Sequence, residues 1–237
     1  MFTPQGPTAR ELTVQALSSV EHGYDLLATK FDATPFRTPD PVLSAVTDAL
    51  RPLGPFEAGL DLCCGTGAGL SVLRPLCAGG RIVGVDFSAG MLTEARRAHP
   101  KATLIRADVL ALPFPPAFDL AVSFGAFGHF VPKKQLTLFR QAHAALRPGG
   151  VLAFPLPAPP RVGSLAYWTL LGFDAAMRVR NALWRPPFVM YYRTFRLADV
   201  RDRLTRAGFT VETQALETLG RQENGSPRCR LVVARKA

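Results

Sequence analysis

The chain is poor in the residues that build metal or disulfide sites. It holds four cysteines and four histidines in 237 residues. Cys63 and Cys64 are adjacent, Cys77 and Cys229 stand apart, and no Cys-x-x-Cys pair occurs. That spacing excludes the common zinc arrangements, so no metal is expected, and a disulfide framework is not expected in a chain of this size. Long apolar runs are also missing. The richest stretch, Val162 to Phe173, falls short of the roughly 18 apolar residues that a membrane-spanning helix needs. The N-terminus lacks the basic-then-apolar pattern of an export signal. These absences lead to the expectation of a cytoplasmic protein.

What is present suits one large α/β domain. Hydrophobic residues make up 48% of the chain, enough for a substantial core. Charge is distributed unevenly. Through Leu120 the balance of basic over acidic residues is −2, and from Ala121 onward it is +12, mostly as arginine. Such asymmetry fits an anionic partner, a membrane surface or nucleic acid, and equally a composition biased toward arginine on solvated faces.

Along the chain, Glu11 to Thr29 reads as a helix, and the prolines at 35, 39 and 41 mark a loop before a second helix, Val42 to Leu50. A regular alternation follows. Strands are expected at 58–62, 81–85, 103–105, 119–124 and 151–154, with helices between them at 70–77, 88–98 and 133–146. Pro155 to Pro160 is expected to leave the sheet. A helix at 197–207 and strands at 209–214 and 229–234 complete the pattern. Apolar strands separated by helices predict a doubly wound, mostly parallel sheet covered on both faces. The expected organisation is an N-terminal helical segment, 1–54, over a domain spanning 55–237. An inserted cap at about 155–195 interrupts that domain. Gly163 to Trp184 within it reads as one or two helices with an apolar stripe (Leu165, Trp168, Leu171, Phe173, Met177), most of which is expected to pack against the sheet while the rest serves as a lid.

The chemistry concentrates in Asp61-Leu62-Cys63-Cys64-Gly65-Thr66-Gly67-Ala68-Gly69, directly after the first strand. Gly65 and Gly67 let the backbone approach a nucleoside closely, and the following helix start offers free amides. About twenty residues later Asp86 ends the second strand, where an acid can accept ribose hydroxyls. The dinucleotide pattern Gly-x-Gly-x-x-Gly fails, because Leu70 and Val72 stand where a third glycine belongs. The phosphate-loop lysine motif is absent too. An anion at Asp61 would in addition repel a pyrophosphate.

These segments resemble the class I S-adenosylmethionine-dependent methyltransferases, in particular the type 11 group. The likeness continues through Val83-Gly84-Val85-Asp86-Phe87-Ser88, Arg106-Ala107-Asp108-Val109, Phe118-Asp119-Leu120-Ala121-Val122-Ser123 and Leu146-Arg147-Pro148-Gly149-Gly150, in the family's order, and Arg206-Ala207-Gly208-Phe209 matches further on. Position 63 is usually glycine in that family. The Cys63-Cys64 pair is similar to quinone-biosynthesis methyltransferases, although their tryptophan-bearing N-terminus and Asn-rich fourth motif are missing. The resemblance implies a seven-stranded Rossmann-like sheet and S-adenosylmethionine as cofactor. It implies that Asp61 faces the cationic methionine end, with the backbone from Cys63 through Gly65 to Gly67 beside it. Asp86 would bind the ribose hydroxyls, Phe87 and Met91 would pack on adenine, and Asp108 and the Val109 amide would bind its edge. Ser123, Phe124 and the residues to Ala126 would lie beside the sulfonium. Arg37 could meet the cofactor carboxylate or be a solvated loop residue.

Methyl transfer from a sulfonium is a displacement in which alignment alone can supply roughly 7–11 kcal/mol. His129, just past the fourth strand, is the best placed general base, with backbone bonding or pocket lining as its plainer role. His22, His99 and His143 are expected at the surface. Tyr24, Tyr191 and Tyr192 are candidates to line the site. The cap mixes aromatic residues with Arg178, Arg180, Arg185, Arg193 and Arg196, which favours a small, largely apolar acceptor of a quinone-like or lipid-like kind, with weak membrane-surface contact through the basic half. The alternatives are an RNA-associated enzyme, for which no RNA-binding domain is recognisable, and a cofactor-binding protein that transfers nothing.

Overall fold

The computed structural model describes residues 6–191 and 195–237; Tyr192 and Arg193 lie outside them. The order of elements begins with α1 (Ala9–Leu17), α2 (Val20–Leu27) and α3 (Asp40–Leu50). The expected single N-terminal helix is thus two. The pair Ser18-Ser19 breaks it, because the Ser19 hydroxyl accepts the His22 amide and starts α2 afresh. The alternating part comprises β1 (Ala58–Leu62), α4 (Ala68–Leu76), β2 (Arg81–Asp86), α5 (Ala89–Ala98), β3 (Thr103–Arg106), β4 (Phe118–Val122), α6 (Pro132–Ala145) and β5 (Leu146–Pro157). After it come α7 (Leu165–Leu183), α8 (Leu197–Arg206), β6 (Phe209–Ala215) and β7 (Cys229–Lys236).

The seven strands form one sheet in the order β3-β2-β1-β4-β5-β7-β6. Pairs from β3 to β5 are parallel, and β7 runs antiparallel to both β5 and β6. Strand order reverses between β1 and β4, so a crevice opens at their C-terminal ends, where ligands bind in doubly wound sheets.

Period-two alternation sorts side chains to two faces. Leu120, Val122, Val151, Ala153, Leu231 and Val233 pack under α3 and α4. Their neighbours Ala121, Leu152, Phe154, Val232 and Ala234 face α6 and α8 on the other side. There Phe127 stacks on Phe195, with ring centroids 4.4 Å apart, and meets Phe154 edge-on. Such aromatic pairs add about 0.5–1.5 kcal/mol beyond burial.

The prolines of 155–157 stay in the sheet, against expectation. β4 accompanies β5 only as far as Ala153, while β7 continues beside it to Pro157. Past Ala153 one side of β5 is therefore open, and a residue without an N–H is tolerated there. The cap helix also departs from its expected role. α7 enters a cluster of its own through Met177, which packs with Phe188, Met190 and Tyr191, and with Val20 and Tyr24 of α2. Met177 is buried and Leu171 and Phe173 partly so, but Leu165 and Trp168 face outward.

Candidate active site

Backbone geometry at the tip of β1 explains the local sequence. Cys63, Gly65 and Gly67 all take positive φ, at 57°, 52° and 106°. The two glycines do so freely, whereas Cys63 occupies a region that costs a side-chain-bearing residue about 1–2 kcal/mol. A family preference for glycine at that position follows from this angle.

Asp86 closes the turn from the neighbouring strand. One carboxylate oxygen accepts the Gly65 amide and the other the Ser88 amide, each at 2.9 Å. Ser88 in turn caps α5 by accepting the Met91 amide. The N-terminal segment is fastened over this arrangement at two points. Asp25 of α2 accepts the Ser88 hydroxyl at 2.6 Å and the Gly90 amide at 2.9 Å, and Asp32 accepts the Thr66 hydroxyl at 2.7 Å. Neither Asp25 nor Asp32 stood out in the sequence, because their partners lie far along the chain.

Asp61 is the unusual group. It is buried, and neither carboxylate oxygen has a hydrogen-bond partner. The amides of Gly69 and Leu70 face it from the start of α4 and pull its pKa down, but burial and the charge of Asp86 outweigh them and push it well above the carboxylate range. A Cβ at Gly69 would sit 2.4–2.5 Å from that carboxyl, so only glycine fits there. Burial, with the same acids close by, also raises the thiols of Cys63 and Cys64, which stay protonated and are poor nucleophiles.

The remaining predicted residues divide. Ser123 is buried and its hydroxyl donates to the Leu62 carbonyl at 2.8 Å, tying β4 to β1. Phe124 follows Ser123 just past β4, and its ring is buried in the cluster that holds Leu43, Val46 and Leu50. Met91 is fully buried, and Phe87 is partly exposed. Val109 is buried, while Asp108 is exposed and accepts the Leu110 amide at 2.9 Å, a turn role that leaves its second oxygen available. Arg37 pairs with Asp40 at 2.6 Å. His22 is exposed, and His99 and His143 lie at the surface half-buried. The His99 ring lies against Gly67, where a Cβ would come within 2.4 Å of it, and His143 packs edge-on against Phe209.

His129 sits in a short turn after β4, held at both nitrogens. Nδ1 donates to the Val189 carbonyl at 2.6 Å, which leaves Nε2 to accept the Tyr24 hydroxyl at 2.7 Å. Burial lowers its pKa below the usual imidazole value, and the Val189 carbonyl only partly offsets this. The imidazole is therefore neutral and its lone pair is aimed at a phenol 105 positions earlier in the chain. Among the described residues no group of three or more His, Cys, Asp or Glu side chains is arranged to hold a metal.

Comparison with known proteins fits this geometry. Residues 60–150 match the model of a methyltransferase domain family. The chain is 28% identical over 160 residues to an uncharacterized methyltransferase of Synechocystis, covering 67% of this chain and 69% of that one. It is 39% identical over 117 residues to the demethylmenaquinone methyltransferase of Thermus thermophilus, covering 46% of this chain and about half (51%) of that protein's length. Its fold is similar to that of human N-acetylserotonin methyltransferase solved with S-adenosylmethionine, at a TM-score of 0.62 and 17% identity, over 98% of this chain and 60% of the other. Residues 60–150 thus carry a methyltransferase domain, and the chain shares the fold of S-adenosylmethionine-dependent methyltransferases. The orphaned Asp61 carboxylate fits that cofactor. A buried anion with only the imperfectly placed Gly69 and Leu70 amides beside it is costly, and the methionine end of S-adenosylmethionine brings an ammonium and a sulfonium. In the methyltransferase domain Asp61 would hold that end and Asp86 the ribose.

Proposed function

We propose that the domain moves a methyl group from S-adenosylmethionine to a small, largely apolar acceptor bearing an ionisable O–H or N–H. The observation that carries the reading is the buried, unpartnered carboxylate of Asp61 beside the glycine turn and Asp86. S-adenosylmethionine supplies an electrophilic methyl group on sulfur. The chain's own part is to hold, align and deprotonate. Tyr24 and His129 are suited to the last task. The Tyr24 oxygen can take the acceptor's proton while its own passes to Nε2 of His129, which the Val189 carbonyl keeps in the accepting tautomer.

The surroundings of this pair support an apolar acceptor. Tyr24 lies against Phe31 and Phe188, with ring centroids 6.0 and 6.4 Å away, and Phe36, Val131 and Met190 belong to the same cluster. The similarity to an enzyme named for demethylmenaquinone points the same way. A radiolabelled methyl donor offered with phenols, quinols and an RNA pool tests the reading. Label in the aromatic acceptors is expected; label in RNA alone, or none at all with the cofactor bound, would overturn it.

A further inference from the structure

The cap helix turns a large apolar face outward. Its inward side mixes Met177 and Phe173 with polar residues. Asp174 is buried, Asn181 bonds the backbone of Phe188 in both directions and reaches the Tyr191 hydroxyl, and Arg180 donates to the carbonyls of Ser18 and Pro186. Its outward side is apolar. Leu165 is 84% exposed, Trp168 58%, Val179 58% and Leu183 81%, and Trp184 just past the end is 52% exposed. Gly172, Ala175 and Ala176 fill the face between them and are exposed too. A water-facing helix shows the reverse arrangement, and contiguous apolar surface of this kind marks something that covers it.

Charge decides between the possible covers. From Arg161 to Tyr191 the sole acid is Asp174, and it is buried, whereas Arg178 and Arg185 are exposed beside the apolar face, and Arg161, also exposed, pairs with Glu223 at 2.9 Å. Two copies meeting through α7 would bring these cations together. An anionic lipid surface would neutralise them and accept the apolar face. Nineteen residues make a helix about 28 Å long, enough to lie along a headgroup layer. No helix among the described residues is long and apolar enough to cross a membrane. We infer that α7 is an interfacial helix that seats the protein on anionic bilayers, with Trp168 and Trp184 at the headgroup boundary. Nothing about this surface depends on which acceptor the domain takes.

The sequence supplies its own reporter, because its two tryptophans are Trp168 and Trp184. Vesicles of phosphatidylcholine with phosphatidylglycerol should move their emission to shorter wavelength and carry the protein in flotation, less so as salt rises. The exposed-face variants Val179→Glu and Leu183→Glu should each weaken partitioning about tenfold or more, while their affinity for S-adenosylmethionine by calorimetry stays that of the parent chain and verifies the fold. Leu165→Ser gives a milder second variant of the same face. An emission spectrum that no vesicle alters would overturn the inference. So would sedimentation showing a dimer that the glutamates dissociate, since a second copy would then be the cover.

Discussion

Replacing Asp61 with asparagine should make the free protein more stable and the cofactor bind less well. Asparagine keeps the shape that Gly69 accommodates and removes the charge. In the free protein the carboxylate is buried, faces the Gly69 and Leu70 amides without a well-formed hydrogen bond, and sits near Asp86. An unsatisfied buried group costs about 1–3 kcal/mol, and more when charged. Allowing for the amide's own unmet bonds, a gain of about 1–2 kcal/mol is expected, or roughly 2–8 °C in melting temperature for a chain of this length. The pH dependence has a definite sign. The folded pKa of Asp61 is raised, so the native state of the parent chain is favoured below the ordinary carboxylate pKa and loses that advantage as pH rises through the folded value. The gap between variant and parent should thus be near zero in acid and widen toward neutral pH. Affinity should move the opposite way. Loss of a charge-assisted contact is worth about 1.5–3 kcal/mol, or about ten- to 150-fold in Kd. Calorimetry with S-adenosylmethionine and its demethylated product separates two partners for Asp61. Equal losses identify the ammonium, which both ligands carry, and a loss confined to the methyl donor identifies the sulfonium. A variant that melts earlier at neutral pH yet binds cofactor as tightly as the parent would refute the reasoning.

Other residues give equally direct outcomes. Tyr24→Phe and His129→Gln should each lower kcat by about 10²–10⁴ with cofactor affinity unchanged, which stopped-flow turnover and calorimetry would check; an acid limb in kcat/KM lying below pH 6.5, as the lowered His129 pKa requires, should vanish in the glutamine variant. Cys63→Gly should leave the melting temperature unchanged or raise it by relieving the positive φ at that position, whereas the β-branched Cys63→Val should lower it. Gly69→Ala should cost about 1–3 kcal/mol in denaturant unfolding and weaken cofactor binding, because the added methyl meets the Asp61 carboxyl at 2.4–2.5 Å.

Much of the sheet was legible because its strands are short apolar runs punctuated by glycine and proline, and β1 and the Ser88 cap fall where the pattern puts them. The glycine turn and Asp86 were legible for the same reason, since the contacts that matter span one β-α-β unit. Features that depend on distant parts of the chain were not. Whether Pro155 and Pro157 can stay in a strand depends on where β4 stops, which no local pattern records. The pairing of Tyr24 with His129 joins α2 to a turn 105 residues later. The apolar stripe of α7 was visible, but periodicity gives only its existence, and which face turns inward is set by Asn181 and Arg180 finding carbonyl partners.

The two titratable centres shift for one reason with opposite results. Burial raises the carboxyl of Asp61 and lowers the imidazole of His129, because in each case it disfavours the charged form. One site is left wanting a positive charge, and the other holds a lone pair that accepts a phenol's hydrogen bond. The proposed reaction begins with a sulfonium and a neutral acceptor and ends with a neutral thioether, a methylated acceptor and one proton. Positive charge thus disappears where an anion is buried and reappears where a neutral base waits. A neutral chain with both groups solvated would offer no such gradient, so the same water exclusion that makes Asp61 costly in the free protein is what makes the pair useful once cofactor and acceptor are bound.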